Sequence, residues 1–216
     1  MRYVFINPVT AQMYPRAELD AQLARAGYRR VECDTVWRDV VLARYRELTR
    51  AQPATIADAR CPLAVELVKA HAPSNVRIAP IEPILLCCGR ELSARPELSD
   101  GDKLITAPCR ALAAAGNALC LPRTRFVPWR EFAREAHIDI VPRALSECPI
   151  PPGFFAGLGC AAASATGRAE ILRLLADLPN RGLRIIELLY CPGGCHNGDG
   201  IWPDDGRADG STTQAR

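Results

Sequence analysis

The sequence predicts an α/β fold, with mostly parallel sheets flanked by helices. Short apolar runs alternate with helix-period segments along most of the chain, which is the pattern of βα units. Composition is ordinary for a globular protein, at 49% hydrophobic and 24% charged over 216 residues, and no internal repeat is present.

The elements follow in order. Tyr3–Ile6 reads as a buried strand closed by Asn7-Pro8, and Arg16–Arg25 as a helix ending at Gly27. Tyr28–Cys33 is the next strand. Val36–Leu48, with Val36, Val40, Val41 and Leu48 on one face, is a helix. The alternation continues with strand Ala54–Ala57, helix Pro62–Ala70, strand Val76–Ala79 and helix Pro83–Leu92. Strand Lys103–Thr106, helix Arg110–Ala115, strand Arg125–Val127 and helix Trp129–Ala136 come next. Helix Glu170–Leu178 and strand Leu183–Leu189 complete the set. The length suits one body over residues 1–202. Val141–Gly159, rich in Pro and Gly, reads as a loop or lobe junction, and 203–216 as a disordered tail.

A net charge of +3 is too mild to imply nucleic acid or an anionic membrane surface. No run approaches about 18 apolar residues, so no membrane partner is expected. The N-terminus has no secretory h-region, and the expected location is cytoplasmic. In that compartment ten cysteines point to metal, redox or catalytic use before disulfides.

Ligand sites in open α/β sheets form beyond the carboxyl ends of strands. Cys61 and Cys109 fall there, each at a predicted helix start, and Cys191 and Cys195 follow the last strand in a Gly-rich turn. Helix N-termini favour thiolate, and glycines let backbone amides approach cluster sulfides. Four thiolates suit a [4Fe–4S] cluster or tetrahedral zinc; one C-x₃-C pair with two single ligands suits a cluster between lobes better than a zinc ribbon. Cys33, Cys87, Cys88, Cys120 and Cys160 read as packing, and Cys148 as a surface thiol. His71 and His137 read as helix-end residues. His196 is a candidate hydrogen-bond donor or proton carrier beside the site.

Three segments resemble the signature loops of the iron-only hydrogenases, in the C-terminal domain of their large chain. That family reads T-S-C-C-P, M-P-C-x-x-K and E-x-M-A-C-x-x-G-C-x-x-G-G-G-Q. This chain has Asp58-Ala59-Arg60-Cys61-Pro62, then Ala107-Pro108-Cys109-Arg110-Ala111-Leu112, then Glu187-Leu188-Leu189-Tyr190-Cys191-Pro192-Gly193-Gly194-Cys195-His196-Asn197-Gly198-Asp199-Gly200. The resemblance spans roughly Ala17–Ile201, including Leu19–Leu48 and Thr124–Ile138, and is much shortened after the second loop.

The resemblance implies two lobes around a central iron–sulfur site, with Cys61, Cys109, Cys191 and Cys195 as the metal ligands. In that family the last cysteine also bridges to a two-iron unit carrying CO and cyanide. Here the residues on that side differ: Arg60 replaces the relay cysteine, Leu112 the cyanide-pairing lysine, and Ala107 and Leu189 two methionines. Arg60 cannot relay a proton, because a guanidinium stays charged. The resemblance therefore implies a [4Fe–4S] protein for electron transfer or redox/gas sensing rather than hydrogen turnover, with no two-iron subcluster expected. Electrons would come from a ferredoxin-like redox partner, or the output would go to a signalling partner. The alternatives are a hydrogenase-like oxidoreductase or hydrogen sensor keeping the two-iron site, a cluster assembly factor, and a zinc-bound or metal-free domain.

Overall fold

The structure, a computed structural model, describes residues 1–150 and 152–202. The expected tail at 203–216 lies outside the described residues. The chain is α/β, with two four-stranded, wholly parallel sheets flanked by helices.

The first sheet holds β1 (Arg2–Phe5), β2 (Arg29–Arg30), β5 (Asp102–Ala107) and β6 (Thr124–Pro128), ordered β2-β1-β5-β6. The second holds β3 (Thr55–Ala57), β4 (Val76–Ile78), β7 (Ala162–Thr166) and β8 (Ile185–Leu189), ordered β4-β3-β8-β7. Among the described residues the helices are α1 (Pro8–Met13), α2 (Arg16–Arg25), α3 (Trp37–Ala51), α4 (Pro62–His71), α5 (Ile84–Ala94), α6 (Arg110–Asn117), α7 (Trp129–Glu135) and α8 (Arg168–Asp177).

Parallel strands need crossover helices, and these cover both faces of each sheet. Successive residues of β1 point to opposite sides. Tyr3 and Phe5 pack with Leu85, Leu92 and Phe126 on the α5/α6 side, whereas Val4 packs with Leu19, Leu23 and Phe132 on the α2/α7 side. The second sheet divides likewise. Ala57, Ile186 and Leu188 face α4 and α8, while Ile56 and Ile185 face Val41 and Tyr45 of α3. Helix α5 serves both sheets, because Cys88 packs in the first sheet's core and Cys87 in the second's.

Two elements go beyond the sequence expectation. Asn7-Pro8 does not only close β1: the Asn7 side chain accepts the Thr10 N–H at 3.0 Å and caps α1, with Pro8 in the first turn. Strand β7 (AASAT) has no large β-branched or aromatic residue and is an edge strand held by β8 alone. The α2 bounds agree with expectation, and Gly27 terminates that helix in the left-handed region at φ 78°.

The Phe126 ring is held between two helical glycines. A Cβ at Gly89 would lie 2.2 Å from its Cζ, and one at Gly116 2.3 Å from its Cγ. Gly89→Ala adds helix propensity worth at most about 1 kcal/mol but overpacks the far end of a buried ring at about 1–3 kcal/mol. The expected result is a lowered urea midpoint with unchanged m-value, recovered when Phe126→Leu is added. A raised midpoint in the single variant would show that the ring is free to move.

Candidate functional site

The three expected loops leave the carboxyl ends of β3, β5 and β8. Strands β3 and β8 are the inner pair of the second sheet, and β5 is an inner strand of the first, so the loops gather where the sheets meet. Cys61 is the N-cap of α4, and its Sγ accepts the Tyr190 N–H at 3.5 Å. Cys109 is the N-cap of α6, and its Sγ accepts the Leu112 N–H at 3.4 Å. Both sulfurs sit at positive helix ends, the setting that stabilises thiolate.

The loop with the last two cysteines is docked onto the Cys109 loop by its glycines. The Gly200 N–H donates to the Pro108 carbonyl at 3.0 Å, and a Cβ at Gly198 would lie 2.3 Å from that oxygen. Asp199 Oδ1 accepts the Arg110 N–H at 3.0 Å, and the Gly200 carbonyl accepts the Arg130 N–H at 2.8 Å. This seam joins a loop of one sheet to a loop of the other. Within the cysteine loop, Gly193 and Gly194 have φ of 72° and 119°, which side chains rarely adopt.

The four thiols lie within electrostatic reach of one another. Burial pushes the Cys109 thiol up to about 12, with further repulsion from Cys61 and Cys191. Burial also raises Cys195 well above the ordinary thiol range, followed by Cys148, Cys61, Cys109 and Cys191. Cys61 is raised mainly by burial, against the backbone N–H groups that lower it. A bound cation inverts this balance and deprotonates coordinating thiols. Among the described residues no three His, Cys, Asp or Glu form a group that could hold a metal ion. A single zinc, with bonds near 2.3 Å, needs sulfurs about 3.8 Å apart, whereas the irons of a cubane hold their thiolates farther apart. Four thiols with amide donors are the ligands such a cluster takes.

Cys148 differs from expectation. It is 5% exposed, and a Cβ at Gly194 would lie 2.9 Å from its Cβ and 3.0 Å from its Sγ. The Pro/Gly-rich stretch therefore folds back onto the site instead of presenting a surface thiol. Cys87 and Cys88 are buried, Cys33 and Cys160 half-buried, and Cys120 exposed. His196 has a buried Nδ1 without a hydrogen-bond partner among the described residues, and burial lowers its pKa. His71 and His137 are exposed.

Arg60 is buried at the mouth of the Cys61 loop. Its Nε donates to Asp58 Oδ2 at 2.8 Å and its Nη2 to Glu187 Oε1 at 2.6 Å. Phe154 and Phe155 lie against the guanidinium, with ring centres 4.1 and 4.8 Å from its carbon. Tyr45 donates to Asp58 Oδ1 at 2.9 Å, and Glu187 Oε2 accepts the Gly153 and Phe154 N–H groups and the Ser164 hydroxyl. Burial alone would lower the Arg60 pKa, but Asp58 and Glu187 hold it above its ordinary value. Arg60, Leu112, Leu189 and Cys195 line one cavity of about 470 Å³, and Nη1 of Arg60 is buried without a hydrogen bond among the described residues.

Removing one partner of a buried ion pair costs about 3–5 kcal/mol, because the remaining charge is left unpaired. Arg60→Met strands two carboxylates and is expected to lose that much in urea denaturation. The triple variant Asp58→Asn/Arg60→Met/Glu187→Gln is expected to recover most of it. A single variant as stable as the parent would show that the three charges are not coupled. No protein-family model matches the chain, and no curated protein matches it.

Proposed function

We propose that the chain binds a [4Fe–4S] cluster through Cys61, Cys109, Cys191 and Cys195, and uses it for one-electron transfer or redox/gas sensing. The observation that carries this reading is the convergence of those thiols from three loops of two sheets, two of them at helix N-caps with sulfur accepting backbone N–H groups. When bound, the cluster supplies a one-electron couple. The chain's own residues supply the ligands, the amide hydrogen bonds and the apolar shell that set its potential.

Hydrogen turnover is disfavoured by the cavity wall beside Cys195. Leu112 and Leu189 present hydrocarbon there, and Arg60, fixed by two carboxylates, cannot exchange its proton at neutral pH. These positions match those at which iron-only hydrogenases carry a lysine, a methionine and a relay cysteine. We therefore read the chain as a relative of that family that keeps the cubane ligands without the catalytic side. An electron-carrying partner of ferredoxin type, or a signalling partner, would complete the function.

One observation favours a second reading, a hydrogenase-like enzyme or hydrogen sensor with a two-iron unit. Nη1 of Arg60, without a hydrogen-bond partner among the described residues, is a donor beside the cavity that an iron-bound cyanide could use. Infrared spectra of protein coexpressed with maturation factors distinguish the readings. Bands of bound CO and cyanide would establish the second; their absence in iron-loaded protein is expected here.

Anaerobic reconstitution with ferrous iron and sulfide is expected to give about four of each per chain. Cys61→Ser, Cys109→Ser and Cys191→Ser should each lose more than half of the iron and the visible chromophore, while Cys120→Ser and Cys160→Ser retain both. Full iron in the first set, or loss confined to the second, would overturn the ligand assignment.

A further inference from the structure

We propose that the cavity beside Cys195 binds a small uncharged organic molecule, a flat aromatic body with one carbonyl whose oxygen accepts from Nη1 of Arg60. The inference goes beyond the cluster reading and does not rest on it.

The cavity, of about 470 Å³, runs from an exposed rim at Pro8 and Arg38 to a buried floor of Phe5, Leu85, Leu112 and Leu189. Small-molecule sites share this size, such apolar walls and a few placed polar groups. Asn7 also lines the cavity, but its side chain is engaged. Its Nδ2 donates to the Thr10 and Thr106 hydroxyls at 2.9 and 3.2 Å, and its Oδ1 accepts the Thr10 N–H at 3.0 Å. Arg38 lies in the open, 3.5 Å from Asp39.

Arg60 differs from both. Its side chain is 6% exposed, Nε and Nη2 are bound to Asp58 and Glu187, and Nη1 is buried without a hydrogen-bond partner among the described residues. A buried donor without an acceptor costs folding free energy, and a ligand oxygen placed there recovers it.

Charge selects the class of ligand. Two carboxylates already lie 2.8 and 2.6 Å from the guanidinium, so an anion at Nη1 would meet two negative charges against one positive. A cation would meet the guanidinium itself. A neutral carbonyl takes the hydrogen bond without either repulsion. The Phe154 ring, centred 4.1 Å from the guanidinium carbon, and the Phe5 ring both line the cavity and suit a flat aromatic body. Of the four proposed cluster ligands, Cys195 is on the wall, while Cys61, Cys109 and Cys191 are not among the described lining residues. The cavity therefore adjoins the cluster site rather than coinciding with it.

The test is equilibrium dialysis of the full chain, cluster-free and anaerobically reconstituted, against three probes. These are methyl naphthyl ketone, its isopropenyl isostere, in which a CH₂ replaces the carbonyl oxygen, and naphthoate. The ketone is expected to bind about ten- to a hundredfold more tightly than the isostere, the worth of one hydrogen bond from a charged donor, and more tightly than naphthoate. In Asp58→Asn/Arg60→Met/Glu187→Gln the ketone's advantage over the isostere is expected to disappear. Ile84→Trp, which fills the cavity from its wall, is expected to abolish binding of both. Equal affinity of ketone and isostere in the unaltered chain, tightest binding of naphthoate, or no bound ketone would overturn the inference, whatever the variants do. Ketone binding lost on reconstitution would overturn it too, because the cluster would then occupy the cavity. Ketone held by a chain that takes up no iron would leave the inference standing and remove the cluster reading.

Discussion

A buried arginine held between two buried carboxylates organises the second sheet and everything attached to it. Asp58 follows β3, Glu187 is within β8, and Arg60 joins them at 2.8 and 2.6 Å. The network extends through Tyr45 to α3, through Ser164 to β7, and through the backbone of Gly153 and Phe154 to the irregular stretch. Such a network destabilises the fold when half satisfied, and here both carboxylates and two guanidinium nitrogens are used. Fixing Arg60 also fixes Cys61, its neighbour in the chain, at the start of α4. The same residue thus sets the strand ends, the first thiol and the polar edge of the cavity.

The second constraint is the glycine seam at Gly198 and Gly200, where backbone meets backbone across the two sheets. It gives the Cys191–Cys195 loop a single position relative to Cys109. Thiols on separate loops lose conformational freedom when brought together, and rigid supports meet that cost during folding rather than at metal binding. Burial disfavours the thiolate forms of Cys61, Cys109 and Cys195, and a bound cation reverses that balance. The arrangement suits a metal group installed into a folded or nearly folded chain.

Much of this was legible in the sequence because it is local. Leu19 and Leu23, four apart before Gly27, gave α2 its bounds, and the apolar run of β8 stood out. Cys61 and Cys109 were marked by strand-to-helix turns, a pattern carried within a few residues. Strand β7 escaped because Ala and Ser pack on an edge without any period-2 signal, and α1 because six residues offer less than two turns of periodicity. Its signal, Asn before Pro, was present but also fits the end of a strand. Arg60 was legible only as a departure from a family pattern, since its partner Glu187 is 127 residues away. Cys148 was misplaced for the same reason: nothing near it in the chain reports Gly194.

Whether four thiols on three loops hold a cubane is decided by electron paramagnetic resonance of the anaerobically reconstituted, dithionite-reduced chain. A [4Fe–4S] cluster on these ligands gives a spin-half signal that relaxes fast and is visible only at cryogenic temperature, and that is lost in the Cys109→Ser chain. A slowly relaxing signal that persists to higher temperature, as a two-iron, two-sulfide cluster gives, or tightly bound iron with no cluster signal, would contradict it.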